Sequence, residues 1–159
     1  RLARSRATWL AGAASTVTDY ISDEVRRSTR LKAGNRCGYC LSPQHLVMGT
    51  LEIEHILPLT AGGTSEASNL WLACRLCNNH KSSQTHAVDP HTGHKVELFH
   101  PNKQSWHEHF QWSPTGTLIA GKTACGRATV IALRLNNLVA VTVRQYWVEA
   151  GWHPPSESR

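Results

Sequence analysis

Four of the five cysteines fall in two close pairs, Cys37 with Cys40 and Cys74 with Cys77, separated by positions 41 to 73. Thiolates spaced this way can close on one tetrahedral Zn²⁺, each pair biting the ion from a tight knuckle. Four sulfur ligands leave no open position for water, so the spacing predicts a structural zinc and not a catalytic one. The separation exceeds the ~15–20 residues of a simple ribbon, so a folded insert is expected between the knuckles, with any catalysis inside it. Gly38 is expected to give the first knuckle its backbone freedom.

The insert places Glu54 directly before His55. Phosphodiester hydrolysis needs a base to deprotonate water, and an imidazole with a reference pKa of about 6.5 serves near neutral pH. Charge gathering on the phosphate and the leaving oxygen calls for a hard cation held by oxygen ligands. The Glu54 carboxylate and the Asn78 amide suit Mg²⁺ or another divalent cation, with waters and substrate completing its shell, so the ion should bind weakly without substrate. Glu52 lies on the same side of a strand as Glu54 and is an alternative or supporting acid, expected to be solvated. Adjacent strand residues point to opposite faces, so Glu54 and His55 can address one phosphate only where the strand bends or ends, or where the substrate lies across its edge. Pro58 marks such an end.

The run "EIEHILPLTAGGTSEASNL" and the continuation of the second knuckle into "CNNHK" resemble the HNH nuclease pattern in its four-cysteine form, over about residues 20–85. The resemblance implies a ββα-metal fold that hydrolyses DNA with one divalent cation, usually Mg²⁺, leaving 5′-phosphate and 3′-hydroxyl ends. It implies His55 as general base, Glu54 and Asn78 as ligands of the divalent ion, and Asn69 as the residue that positions the loop and the base. Double-stranded DNA is the expected partner, with RNA as the alternative. The competing classes are a noncatalytic zinc-ribbon module that only binds nucleic acid and a zinc-stabilised adaptor for another protein.

A helix turns about 100° per residue, so His80 lies about 200° around from Asn78, whereas Lys81 returns to within about 60° of it. Lys81 is therefore read as a phosphate-binding cation beside Asn78, with Arg75 and Asn79 as further nucleic-acid contacts and His80 as peripheral. In the second half Arg127, after Gly126 at an expected helix start, is a candidate cation near the cleft; Arg134 and Arg144 could equally be solvated. The balance of 17 Lys and Arg against 11 Asp and Glu, a formal charge of +6, favours an anionic partner. No apolar run reaches the ~18 residues of a membrane span. With the paired cysteines pointing to a reducing compartment, the sequence predicts a soluble, cytoplasmic protein.

Positioning these groups requires an α+β fold: a ββα-metal core of the HNH type stapled by a four-cysteine zinc site, with a small C-terminal strand-plus-helix extension. The expected organisation is a loosely ordered tail at 1–18, the nuclease domain at 19–85, the extension at 86–153 and a tail at 154–159. The patterns predict a helix over 20–33 capped by Ser22, a strand within 46–59, a Gly-rich loop, and a helix over 78–85. Gly62 and Gly63 are read as turn-formers. Strands are expected at 96–99, through "WHEHFQW" and through "GTLIAGKT", and helices over 127–135 and 138–150. Trp106, Phe110 and Trp112 are read as core aromatics and Cys125 as a small buried hydrophobe. His86, His91, His94, His100, His107 and His109 match no compact metal site and are read mostly as surface groups.

Overall fold

Ser22 starts the first helix as expected: its hydroxyl accepts from the Val25 N–H, Asp23 and Glu24 follow in the first turn, and α1 runs Asp23–Lys32. Gly34 and Asn35, both at positive φ, end it. The computed structural model describes residues 20–156; the expected tail at 1–18 and the last three residues lie outside that range. The remaining elements are β1 (Glu52–His55), β2 (Leu70–Ala73), α2 (Arg75–Lys81), β3 (His86–Val88), β4 (Lys95–Glu97), α3 (Trp106–His109), β5 (Phe110–Trp112), β6 (Ile119–Gly121), α4 (Ala124–Ala132) and α5 (Leu138–Glu149). The fold is α+β, and the described residues form three separate two-stranded antiparallel sheets.

The Glu54–His55 pair sits on the first of these sheets. β1 pairs with β2 in the register Glu52↔Ala73, Ile53↔Leu72, Glu54↔Trp71 and His55↔Leu70, so His55 closes the ladder. The strand is shorter than the predicted run, because Gln44–Leu46 and Leu59–Ala61 are single 3-10 turns. Helix α2 begins three residues earlier than predicted. The Cys74 sulfur takes the cap position toward the Cys77 N–H, and Ser82, at φ 47, stops the helix before its predicted end.

The second half differs from its predicted pattern in two places. "WHEHFQW" is a single helical turn followed by a strand, not one strand. Trp106 and Phe110 pack with ring centroids 5.2 Å apart, a contact that either spacing allows. The buried Trp106 indole N–H, which donates to the Tyr39 carbonyl, selects the turn. Helix α4 starts earlier than predicted, because the Thr123 hydroxyl caps it by accepting from the Gly126 N–H.

The two halves share one core. Cys37, Tyr39, Leu51 and Leu72 from the cysteine-stapled half are continuous with Phe99, Trp106, Phe110, Ile119, Leu133 and Leu135. Arg144, for which a solvated face was one expectation, is buried: it donates to the carbonyls of Leu135 at 2.8 Å and Thr117 at 3.1 Å and stacks over Trp112. Burial pushes its guanidinium pKa down, with the cysteine sulfurs of the first half pushing back. Four of the six histidines read as surface groups are exposed, whereas His100 and His109 are half-buried, as is Cys125.

A bidentate pair ties the β3–β4 hairpin to α4. Arg127 Nε and Nη2 each lie 2.8 Å from an oxygen of Asp89, whose carboxylate also accepts from Thr92 and from the His91 N–H. Arg127, expected to contact nucleic acid, has two of its nitrogens committed to a solvent-inaccessible carboxylate. The Arg127 guanidinium, helped by these hydrogen bonds, holds the Asp89 carboxyl well below the usual carboxylate range. A depressed folded-state pKa stabilises the fold fully above the unfolded value of about 3.9, and that contribution is lost as pH falls below it. In acid titrations followed by urea unfolding, Asp89→Asn should lose less stability than wild type below about pH 4; an equal loss would contradict the assignment.

Candidate active site

The two knuckles meet at the first sheet. Their four sulfurs all lie within 4.8 Å of one another, and the Cys40 and Cys74 sulfurs are 3.7 Å apart. A tetrahedron with Zn–S bonds of about 2.3 Å has edges of about 3.8 Å, so the sulfur spacing suits zinc. Burial pushes the Cys37 thiol up and hydrogen bonds from the neighbouring sulfurs push Cys77 up, so for these two ionisation calls for a coordinated cation, whereas the neighbouring sulfurs pull Cys40 down. Gly38 serves this site differently from the expectation. Its φ is not in the positive region; a Cβ there would collide with the Trp71 ring, and its N–H donates to the Leu72 carbonyl at 2.8 Å. Close approach of knuckle and sheet is what requires glycine.

Both acids of β1 meet side chains of α2, but neither is where the sequence reading put it. Glu54 is buried at 4 % exposure, with one carboxylate oxygen accepting from the Tyr39 hydroxyl and the other 3.0 Å from Lys81 Nζ. Lys81 is itself buried at 2 % and also donates to the His55 carbonyl at 3.1 Å. The phosphate-binding role expected of Lys81 is thus corrected: its ammonium is an interior partner of Glu54. Burial pushes the Glu54 carboxyl up, while Lys81 and Tyr39 pull it back toward ionisation. Glu52, expected to be solvated, instead accepts a hydrogen bond of 2.6 Å from the Asn78 amide. The acid that touches Asn78 is therefore Glu52, not Glu54.

His55 is half-buried at the end of β1, with Nε2 3.0 Å from the Ser65 hydroxyl in the following loop. Asn69 holds that loop. Its amide nitrogen donates to the carbonyls of Leu57 and Thr64 at 2.9 and 2.8 Å, and its oxygen accepts from the Leu57 N–H at 2.8 Å. Gly62 forms a turn at φ 85, as expected, whereas Gly63 is buried so tightly against the Leu57 carbonyl that any side chain would collide with it. Arg75 and Asn79 are exposed on α2, and His80 is half-buried.

The arrangement thus brings together His55, the Asn69-fixed loop and a seam of hard oxygen donors between β1 and α2. It does not bring Glu54 to Asn78, and it keeps Arg127 apart on its own salt bridge. Sequence reasoning missed Tyr39 and Ser65. Tyr39 lies inside the first knuckle and gave no signal beyond its proximity to the cysteines, while Ser65 gave none distinct from its loop composition.

Residues 37–84 match the family model for HNH endonuclease. No curated protein and no solved structure matches the chain. The matched span runs from the first knuckle through α2, and the family it matches is one of metal-dependent nucleases. Among the described residues no helix is long and apolar enough to cross a membrane.

Purified, reduced protein should contain about one zinc per chain, as four thiolates require; its absence would undo the four-cysteine assignment. Breaking a buried ion pair by removing one partner costs about 3–5 kcal/mol, because the other charge stays buried alone. Lys81→Met should lower the unfolding free energy by about that much in urea titrations, and Lys81→Met with Glu54→Gln should recover part of it. Stability unchanged in the single variant would show that the pair does not form.

Proposed function

We propose that the chain is an endonuclease that hydrolyses DNA phosphodiester bonds with His55 as general base and one divalent cation, giving 5′-phosphate and 3′-hydroxyl ends. The observation that carries this reading is the half-exposed imidazole of His55 at the end of β1, within the matched HNH span and beside a seam of oxygen donors. A noncatalytic zinc module would have no use for a histidine held there by a loop that Asn69 fixes through three hydrogen bonds.

The donor set fits a hard cation, since a carboxylate and an amide already meet at hydrogen-bond distance across β1 and α2. Asn78 and Glu52 would hold the ion, with Glu54 available only if the Lys81 ammonium leaves it. When bound, a divalent cation supplies Lewis-acid stabilisation of the charge that develops on phosphate and leaving oxygen. The chain's own residues do the rest. The neutral His55 imidazole takes a proton from water, and Ser65, at Nε2, helps fix the ring's orientation. Asn69 holds the loop that carries Ser65. Arg75 and Asn79, exposed on α2, are available to the nucleic-acid backbone.

His55→Ala should abolish Mg²⁺-dependent nicking of supercoiled plasmid while leaving zinc content and duplex affinity near those of wild type. Undiminished nicking would refute the base assignment. Mn²⁺ titration separates the two acids: Glu52→Gln should weaken Mn²⁺ binding more than Glu54→Gln does. The reverse ranking would return the ligand role to Glu54.

A further inference from the structure

The loop that follows His55 forms one wall of a groove of about 430 Å³ whose opposite wall comes from the extension, outside the HNH span. Leu57, Gly63 and Asn69 line it from the loop, and His100 and Lys103 from the extension. The far wall is a turn, residues 100–103, closed by the Lys103 N–H donating to the His100 carbonyl at 3.0 Å. Asn102, at the tip of that turn, is fixed to the catalytic loop itself. Its amide donates to the carbonyls of Ala67 and Ser68 at 3.1 and 2.9 Å, and its oxygen accepts from Lys32 of α1. The turn is therefore held in register with the loop that carries Ser65 and ends at Asn69.

The side chains this turn presents are not used elsewhere. Lys103 is exposed, and no hydrogen bond or ion pair to its ammonium is seen among the described residues. His100 is half-buried, and its Nδ1 is sealed from solvent without a hydrogen-bond partner among the described residues. Its Nε2, the ring nitrogen that is not sealed, is the atom that a ligand in the groove can meet. Glu97 is the one acid in the lining, and Lys81, also in the lining, is spent on Glu54. A groove lined from Ile56, the residue after His55, to Lys103 and His100 of the turn has the chemistry for a phosphodiester backbone.

We propose that this groove is the substrate track, in which Lys103 and His100 of the extension hold the DNA backbone beside the scissile phosphate. The assignment rests on the nuclease reading above. It gives the extension a role that its composition did not suggest: its turn completes a binding surface that the matched span supplies only in half. Lys103 contributes charge. His100, whose pKa burial pushes down, contributes a hydrogen bond from a neutral ring at neutral pH.

The two contributions have different signatures. Binding of a fluorescein-labelled duplex of about 20 base pairs, long enough to cover several phosphate contacts, is followed by anisotropy over a salt series. The full-length His55→Ala protein serves as parent so that the probe stays uncut. Lys103→Ala should weaken binding and reduce the slope of log K against log salt by about 0.9, the loss of one phosphate contact. His100→Gln should weaken binding by about tenfold, the loss of one hydrogen bond to a charged group, without changing the slope. Lys95→Ala removes an equal charge from β4, outside the groove, and should leave the slope within error. If Lys103→Ala and Lys95→Ala have the same effect, or if neither groove variant weakens binding, the groove is not the track. Should the parent protein bind no duplex and the wild type cut no DNA, the nuclease reading fails and this inference with it; cleavage by wild type with unaffected groove variants overturns this inference alone.

Discussion

Four sulfur atoms drawn within 4.8 Å are the constraint on which the first half of the chain depends. One pair stands before β1 and the other at the start of α2, so closing the cluster fixes the helix against the sheet. Neither the four-residue strands nor the seven-residue helix would persist alone, since isolated hairpins and short helices are marginal in water. The staple also sets the phase of α2. With Cys77 turned inward to the sulfurs, Asn78 falls beside Glu52, and Lys81, one turn later, falls beside Glu54.

A second constraint, inside the first, decides what the acids of β1 can do. A carboxylate at 4 % exposure needs a partner, and Glu54 has two, the Lys81 ammonium and the Tyr39 hydroxyl. Two cations cannot both neutralise one buried carboxylate at no cost, so an ion at Glu54 must compete with Lys81. Glu52, half-buried and bonded to a neutral amide, is free of that competition. The same reasoning explains why Lys81 is an interior residue despite its charge: its hydrocarbon stem packs while its head finds a carboxylate and a carbonyl.

The cysteine spacing, the Glu54–His55 motif, the helix cap at Ser22 and the end of α1 were legible because each rests on local chemistry at fixed offsets. The pairing of Glu54 with Lys81 was not, because helical phase correctly put Lys81 near Asn78 but says nothing of whether the shared face looks outward or into the core. Arg127 and Arg144 illustrate the same limit. Each has the sequence of a solvated helical arginine, but the β3–β4 hairpin provides Asp89 to Arg127, and the turn carrying Thr117, together with Leu135, provides the carbonyls that Arg144 meets. "WHEHFQW" was misjudged for a related reason: with aromatics at 106, 110 and 112, spacings of two and four coexist, and the Tyr39 carbonyl that selects the turn lies 67 residues away.

The extension is best understood through these long-range bonds. Trp106 reaches the first knuckle, Asn102 reaches the loop after His55 and Lys32, and Pro101 stands where any side chain on Gly38 would strike it. Each contact lands on a segment near the four cysteines, on α1 or on the Asn69 loop, so the extension grips the rigid parts of the first half. Rigidity is delivered from behind, through buried carbonyls and indoles, while the groove side retains the side chains with unspent hydrogen-bonding capacity. A tail that merely covered apolar surface would have no need to direct its polar contacts at the backbone of the loop after His55.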